Sequence, residues 1–309
     1  MNTNGSRLMG LSAILCTVAL WGLSFISIKV TVAVIPPMTL ALFRFSIASV
    51  ILLFLLKKME PGTNLSRKDI PLMILSGLLG VAVFNNFQNI GIKMTTASAA
   101  SMIIAAIPIL TVLGEFLVFK TRLSWIKIIS VILSIVGVYC IVASSQQTSQ
   151  EDFLGDLFML GAAVAWVVYT LITRPLSSKY SQLAVVTYQI FFGTLALIPF
   201  AFFETWEWNF IDSSIILHLI YLGVFCSALA NYLYVYAMAL LGVSSVSLFI
   251  NLIPVISAIG GFTILHEPMS KVQILGGTVI LFSVYIANFN IRKNNHNEAG
   301  ADILEQVKR

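Results

Sequence analysis

Long apolar stretches recur along this sequence, and they limit the folds that it can adopt. A helix needs about 20 mainly apolar residues to cross a bilayer, and ten stretches of roughly that length are present. They lie near residues 8–28, 38–56, 70–90, 97–118, 124–143, 154–173, 183–203, 214–238, 244–264 and 271–290. The sequence therefore predicts an all-α polytopic membrane protein with ten transmembrane helices, spans 1 to 10.

The composition excludes the soluble alternatives. Hydrophobic residues make up 58% of the chain and charged residues 10%, whereas soluble domains have about 45–50% and about 25%. Cys16, Cys140 and Cys226 lie singly in apolar runs and indicate neither a disulfide framework nor a zinc site. The basic residues behind the net charge of +5 are dispersed between the spans, so we expect the bilayer and a small molecule as partners and no nucleic acid.

The distribution of Lys and Arg predicts the orientation of the chain. Three of these residues, Lys29, Lys93 and Lys271, lie in connections on one side, and Arg44 lies inside span 2. The remaining fourteen lie on the other side: Arg7, Lys57, Lys58, Arg67, Lys68, Lys120, Arg122, Lys127, Arg174, Lys179, Arg292, Lys293, Lys308 and Arg309. Because basic residues are retained in the cytoplasm, both termini are predicted to be cytoplasmic.

The second half of the sequence repeats the first. At a spacing of 146 residues, or 145 for spans 1 and 2, the matched pairs include Trp21 with Trp166, Gly77 with Gly223, Asn85 with Asn231, and Pro108 with Pro254. Each repeat holds five spans, and an odd number inverts the second copy in the membrane. We divide the chain into a first repeat 1–146, a second repeat 147–293 and a polar cytoplasmic tail 294–309.

Inverted repeats are typical of alternating-access transporters, whose substrate site lies between the halves near the midplane of the bilayer. Gene duplication also builds passive channels and membrane proteins with structural or signalling roles, so these stay as alternatives. Spans 1–4 and 6–9 are predicted to form the cavity. Spans 5 and 10 would support it or contact a second copy in a homodimer.

Several short motifs, in a fixed order along the spans, resemble the EamA-type family of the drug/metabolite transporter superfamily over residues 8–290. They are Trp21-Gly22 with Ser24-Phe25, Arg44-Phe45, the Ala-rich span 4 leading to Pro108, and Pro254 followed by Leu265-His266-Glu267-Pro268. The first half departs from the pattern, since Phe119-Lys120-Thr121-Arg122 has no acid. The resemblance implies a plasma-membrane metabolite carrier, often an exporter of amino acids or related compounds.

Arg44 is the clearest candidate for substrate binding, because charged groups inside a bilayer are costly and need a function. Asn85, Asn86 and Asn89 of span 3 are predicted to lie near its depth. Together they could hold a carboxylate or phosphate through charge-assisted hydrogen bonds. The alternative is that Arg44 reaches towards the membrane surface or ties spans together.

The repeat predicts a second polar level nearer the cytoplasm. Tyr188 and Gln189 occupy the places of Phe43 and Arg44, and Asn231 and Asn251 are expected at a similar depth. These groups would cap the other end of the cavity, or they would join spans through interhelical hydrogen bonds. Trp21 and Trp166 are candidates for the cavity wall, with an anchoring role at the membrane interface as the alternative.

Further residues are candidates for proton coupling or for gating of the cavity. Glu115 is the acid placed deepest in a span and is a candidate for proton coupling, with contact to interfacial water or Lys120 as the alternative. Asp156 and Glu267 lie at span ends and are expected to be interfacial. Pro108 and Pro254 lie at matched mid-span positions and are candidate hinges, because proline interrupts helical hydrogen bonding; close packing of the small residues before them is the alternative.

Catalytic and cofactor chemistry has no support in the sequence. Neither a zinc-protease His-Glu-x-x-His motif, a hydrolase Gly-x-Ser-x-Gly motif nor a phosphate-binding glycine loop is present. His218, His266 and His296 are scattered and form no metal-ligand pattern. We therefore predict a transporter that is not an enzyme and uses no cofactor or metal.

Overall fold

The computed structural model describes residues 3–120, 124–205, 211–241, 246 and 249–286, and the regular secondary structure in these residues is helical. We number ten helices in chain order. They are α1 (Thr3–Val32), α2 (Pro37–Met59), α3 (Ile70–Met94), α4 (Ala97–Phe119), α5 (Trp125–Thr148), α6 (Gln150–Ser177), α7 (Gln182–Ala201), α8 (Ser213–Leu241), α9 (Ile253–Ile264) and α10 (Lys271–Ile286).

The helices confirm a polytopic membrane protein. Within the described residues, α1 to α8 are each long and apolar enough to cross a membrane, and α9 and α10 are shorter apolar helices. The sequence predicts that span 9 starts near residue 244, and residues 242–245 and 247–248 lie outside the described part of the chain. The tail 294–309 also lies outside it, so the number of ten spans stays a prediction.

Helical irregularities recur in the two halves at the spacing of the sequence repeat. A π-helical segment, Leu78–Val83, interrupts α3, and another, Tyr221–Leu229, interrupts α8. These two segments end 146 residues apart. The same spacing separates Lys120 from His266, which have positive φ angles of 52° and 54° at the ends of α4 and α9. The left-handed conformation stops each helix there.

Both matched prolines lie where a helix restarts. Turns at residues 105–106 and 251–252 precede helical segments that begin at Ile107 and Ile253, with Pro108 and Pro254 as their second residues. Proline has no backbone N–H and its ring clashes with the carbonyl four residues earlier, so a regular helix cannot continue through it. The predicted interruption is present, and its use as a hinge stays a prediction.

The two halves pack against each other through matched helices. At the contact of α2 with α7, Ser49 Oγ and Thr194 Oγ1, which are repeat-related residues, share a buried hydrogen bond of 2.9 Å. Gly10 of α1 lies against Leu241 of α8, and its counterpart Gly155 of α6 lies against Thr95 at the end of α3. Such close contacts through small residues are typical of membrane helix packing.

Apolar side chains are exposed on the outer helices. On α5 these include Trp125, Ile132 and Tyr139, which are 80%, 55% and 72% exposed, and on α10 they include Leu275 and Phe282. A water-soluble monomer rarely exposes such continuous apolar surface. These faces of α5 and α10 therefore suit contact with lipid.

Candidate functional site

Arg44 is buried in α2 with part of its guanidinium group unsatisfied. Its side chain is 6% exposed, its Nε donates to Ser227 Oγ at 3.0 Å, and its guanidinium carbon lies 4.8 Å from the centre of the Phe45 ring. Among the described residues, Nη1 has no hydrogen-bond partner and no carboxylate lies within 4.0 Å of the group. A buried cation with a free donor favours binding of an anion.

Two of the predicted asparagines have matching local roles. Asn85 Nδ2 donates to the Val81 carbonyl at 2.9 Å, and Asn231 Nδ2 donates to the Ser227 carbonyl at 2.8 Å. Both acceptors lie in the π-helical segments, where the regular α-helical pattern is broken. These amides therefore stabilise the irregular helices, and the described hydrogen bonds join neither of them to Arg44.

The other two asparagines of α3 carry buried acceptors. Asn89 Nδ2 donates to the Pro37 carbonyl at 2.9 Å and attaches α3 to the start of α2. Among the described residues, Oδ1 of Asn89 and Oδ1 of Asn86 have no hydrogen-bond partner. Within the described residues, the neighbouring helices α2 and α3 thus present a free buried donor and free buried acceptors.

The second polar level has a different organisation. Gln189 Nε2 donates to Ser76 Oγ at 3.1 Å and to Thr173 Oγ1 at 3.0 Å, and its Oε1 accepts from Tyr169 Oη at 2.9 Å. The amide at the position matching Arg44 is therefore satisfied by the protein itself. This network holds α3, α6 and α7 together.

The remaining members of that predicted level have separate surroundings. Tyr188 Oη donates to the Thr63 carbonyl, in the connection between α2 and α3, at 3.3 Å. Asn251 lies in the turn before α9, and Asn231 bonds within α8 as described above. The described hydrogen bonds thus direct Tyr188, Gln189 and Asn231 to different partners.

The two tryptophans occupy unlike positions. Trp21 Nε1 donates to the Cys226 carbonyl at 2.9 Å, and its ring centre lies 5.4 Å from that of Tyr234. This places Trp21 next to the α8 segment that contacts Arg44. Trp166 lies 4.7 Å from Phe84 and 5.0 Å from Tyr169, on the side of the Gln189 network.

Sequence reasoning missed Ser227, which bonds to Arg44, and Tyr169, which bonds to Gln189. A signal for Ser227 exists, because its repeat counterpart is the apolar Val81, so the second half has a hydroxyl where the first half has an aliphatic side chain. Tyr169 carries no such signal, since its own counterpart, Ser24, is also polar.

The acidic candidates have different surroundings. Asp156 and Glu267, which are predicted at span ends near the interface, are 0% and 9% exposed and are therefore covered by protein there. Ala97 N donates to Glu267 Oε1 at 3.0 Å and so compensates the burial of this carboxylate. Glu115 Oε1 lies 4.0 Å from Arg174 Nη1, and the two side chains are 40% and 65% exposed. The basic partner of Glu115 is therefore Arg174 and not the predicted Lys120. Such an exposed pair contributes little stability.

A charged contact joins the α2–α3 and α6–α7 connections. Lys179 Nζ lies 2.7 Å from Asp69 Oδ1, and Tyr180 Oη donates to Asp69 Oδ2 at 2.8 Å. Two hydrogen bonds lower the pKa of Asp69, and the bond from Lys179 has a larger effect than the bond from Tyr180. The same hydrogen bond with Asp69 raises the pKa of Lys179. The contact is therefore complete at neutral pH.

We expect Lys179→Met to raise the pKa of Asp69 towards its ordinary value and to reduce thermal stability at neutral pH. The stability from the lowered pKa of Asp69 is present above its unfolded pKa and is lost as pH falls through its folded pKa. Melting curves between neutral and acidic pH should therefore show the difference between variant and wild type shrink on acidification. Lys58→Met, on the exposed end of α2, is the control and should show no such trend. A pH-independent difference would contradict the prediction.

Comparison with known proteins places the chain in one family. The model of the EamA-like transporter family matches residues 8–143 and again residues 153–289. An uncharacterized transporter of Archaeoglobus fulgidus is 27% identical over 270 residues, which cover 87% of this chain and 95% of that protein. A probable terminal-alkyne amino-acid exporter of Streptantibioticus cattleyicolor is 27% identical over 277 residues, which cover 89% and 92%.

The fold also resembles that of a crystal structure described only as a protein. The TM-score is 0.64 with 19% sequence identity, and the match covers 93% of this chain and 98% of the other. The repeated family match, the membrane-spanning helices and the related transporters agree in excluding an enzyme. This chain is a multi-pass membrane protein and belongs to the EamA-like transporter family.

Proposed function

We propose that this transporter is a secondary carrier that exports a small polar metabolite, such as an amino acid or a related compound, across the plasma membrane. In this proposal, ten spans form two inverted five-helix repeats with both termini in the cytoplasm, and the site alternates between the two sides. The observation that carries the proposal is the buried, unpartnered Nη1 of Arg44.

A carboxylate is the substrate group that fits Arg44. Binding it would supply the missing acceptor for Nη1 and compensate the buried charge. The unpartnered Oδ1 atoms of Asn86 and Asn89, on the adjacent helix, could accept hydrogen bonds from an ammonium or hydroxyl group of the same molecule. The amino-acid exporter among the relatives supports this substrate class and the direction of transport.

Counterflow in proteoliposomes tests the proposal. We expect liposomes preloaded with unlabelled amino acids to accumulate labelled amino acids faster than empty ones, with saturation as the external concentration rises. A passive channel would show neither saturation nor stimulation by the internal solute. No flux of amino acids, sugars or nucleosides would favour a structural or signalling role.

The same preparation tests proton coupling at Glu115. Flux is measured with and without a pH gradient, in the wild type and in Glu115→Gln. The exposed contact with Arg174 favours a surface ion pair, so we expect the variant to keep any gradient-driven flux. Loss of gradient dependence alone, with counterflow unchanged, would assign the coupling role to Glu115.

A further inference from the structure

Carboxylates from one half of the chain bind helix N-termini of the other half. Glu204, after α7, accepts from Met38 N at 3.0 Å and from Thr39 N at 2.7 Å at the start of α2. Glu60, after α2, accepts at 2.6 Å from the hydroxyl of Ser181, the residue that caps α7. Carboxylates are favourable at these positions because helix N-termini have free N–H groups and a positive dipole.

These two contacts fasten α2 and α7 to each other at both ends. The Ser49–Thr194 hydrogen bond joins the same helices between those ends. A pair held at three levels is suited to stay together while other helices move. The central pair α2–α7 is therefore a poor candidate for the moving part of a transport cycle.

The α4–α9 pair has a carboxylate contact at one end. Glu267, after α9, accepts from Ala97 N at 3.0 Å and from Ser98 N at 3.4 Å at the start of α4, and Ser257 Oγ donates to the Ala97 carbonyl at 3.2 Å. We call this group the Glu267 contact. A Cβ added to Gly261 would lie 2.5 Å from Ser98 Oγ, so the two helices are closely apposed there.

The sequence does not provide the matching contact at the other end. The residue 146 positions before Glu267 is Thr121, which has no carboxylate. Thr121 and residues 242–245 lie outside the described part of the chain. The Glu267 carboxylate thus joins α4 and α9 at one end, and the matching sequence position has no carboxylate that could form the same contact.

Helix α9 covers the helix that borders the Arg44 site. Gly260 of α9 is so close to α1 that an added Cβ would lie 2.6 Å from Ile26 Cδ1. Trp21 of α1 in turn bonds to the carbonyl of Cys226, whose neighbour Ser227 bonds to Arg44. Movement of α9 away from α4 and α1 would therefore begin to uncover this side of the site.

We propose that the Glu267 contact is the gate that keeps the site closed on the side of the membrane where Glu267 lies, and that it breaks when the carrier opens to that side. This inference rests on the proposed alternating-access transport and on its topology, which puts Glu267 outside the cell. Lys29 Nζ, which donates to the carbonyls of Lys93 and Thr95, strengthens the same end of the bundle.

The native thiol of Cys226 provides a test that needs no substrate. Cys226 is 1% exposed, and the other two cysteines, Cys16 and Cys140, are replaced by serine. A membrane-impermeant maleimide is added to intact cells, and the rate of Cys226 labelling is measured. We expect Glu267→Ala to raise the rate about tenfold or more, as for loss of a buried charge-assisted contact, and Glu267→Gln, which keeps one acceptor, to raise it less.

Glu204→Ala is the matched control, since it removes a carboxylate from a helix N-terminus of the central pair. It should leave Cys226 labelling near the wild-type rate. Three results would overturn the gate. The first is unchanged labelling in both Glu267 variants, and the second is equal acceleration of labelling in Glu204→Ala. The third is acceleration that appears only when the maleimide reaches the cytoplasmic side, as in inverted vesicles. Unchanged labelling with intact counterflow would reject the gate alone, whereas faster labelling without any flux would reject the proposed transport and keep the gate.

Discussion

Arg44→Gln is expected to lower amino-acid counterflow about 10- to 100-fold without lowering thermal stability. A hydrogen bond to a charged group contributes about 1.5–3 kcal/mol, and each 1.4 kcal/mol is a factor of ten in affinity. Removing a buried charge also removes its desolvation penalty, so the empty variant should melt at the wild-type temperature or above it. Flux is measured in proteoliposomes, and melting is measured in detergent.

Two substitutions separate substrate binding from structural support. Arg44→Lys keeps the charge and loses the planar donor geometry, so we expect intermediate flux. Gln189→Leu, at the repeat-related position, removes the partner of three hydroxyl groups and should lower stability by about 1–3 kcal/mol while the folded fraction keeps its substrate affinity. Arg44 is structural if Arg44→Gln instead lowers stability and leaves the concentration for half-maximal flux unchanged.

The membrane fold is predictable from hydropathy and repeat spacing, whereas its irregular segments are not. Apolar length identifies α1 to α8 as membrane spans, and the prolines predict the interruptions before residues 108 and 254. The π-helical segments in α3 and α8 have no such signal, because α- and π-helical residues have the same hydropathy. Their matched positions become visible only when backbone hydrogen bonds are known.

The site is predictable residue by residue and less so as an assembly. Depth in the membrane identifies Arg44 as a buried charge, which the structure shows, but depth does not say which way a helix is rotated. Rotation decides that Asn85 bonds within its own helix and that Gln189 meets Ser76 and Thr173. The burial of Glu267 depends on a turn after α9 that hydropathy does not predict.

The largest loss of stability is expected from Gly77→Leu, in α3. A Cβ at this position would lie 2.6 Å from the Gln189 carbonyl oxygen and 3.0 Å from Gly193 N, both backbone atoms of α7. A flexible side chain could move aside, but a helix backbone moves only if the two helices separate. Overpacking of this kind costs about 1–3 kcal/mol for a modest excess of volume, and we expect about 3 kcal/mol for leucine.

Helix propensity acts in the opposite direction and is too weak to reverse this result. Gly77 has a helical φ of −65°, and replacing glycine in a helix gains about 1 kcal/mol. Gly223→Leu, at the matched position, would meet Ile47 Cδ1 at 2.8 Å and Ile47 Cβ at 3.0 Å. The Cδ1 end can rotate away and no backbone atom is as close as in α7, so its loss should be smaller. Gly62→Leu has nothing within 4 Å and is the neutral control. Melting temperatures in detergent should be highest for Gly62→Leu, lower for Gly223→Leu and lowest for Gly77→Leu. Equal melting temperatures for Gly223→Leu and Gly77→Leu would contradict the prediction, because they would show that the α3–α7 contact moves apart as easily as a side chain rotates.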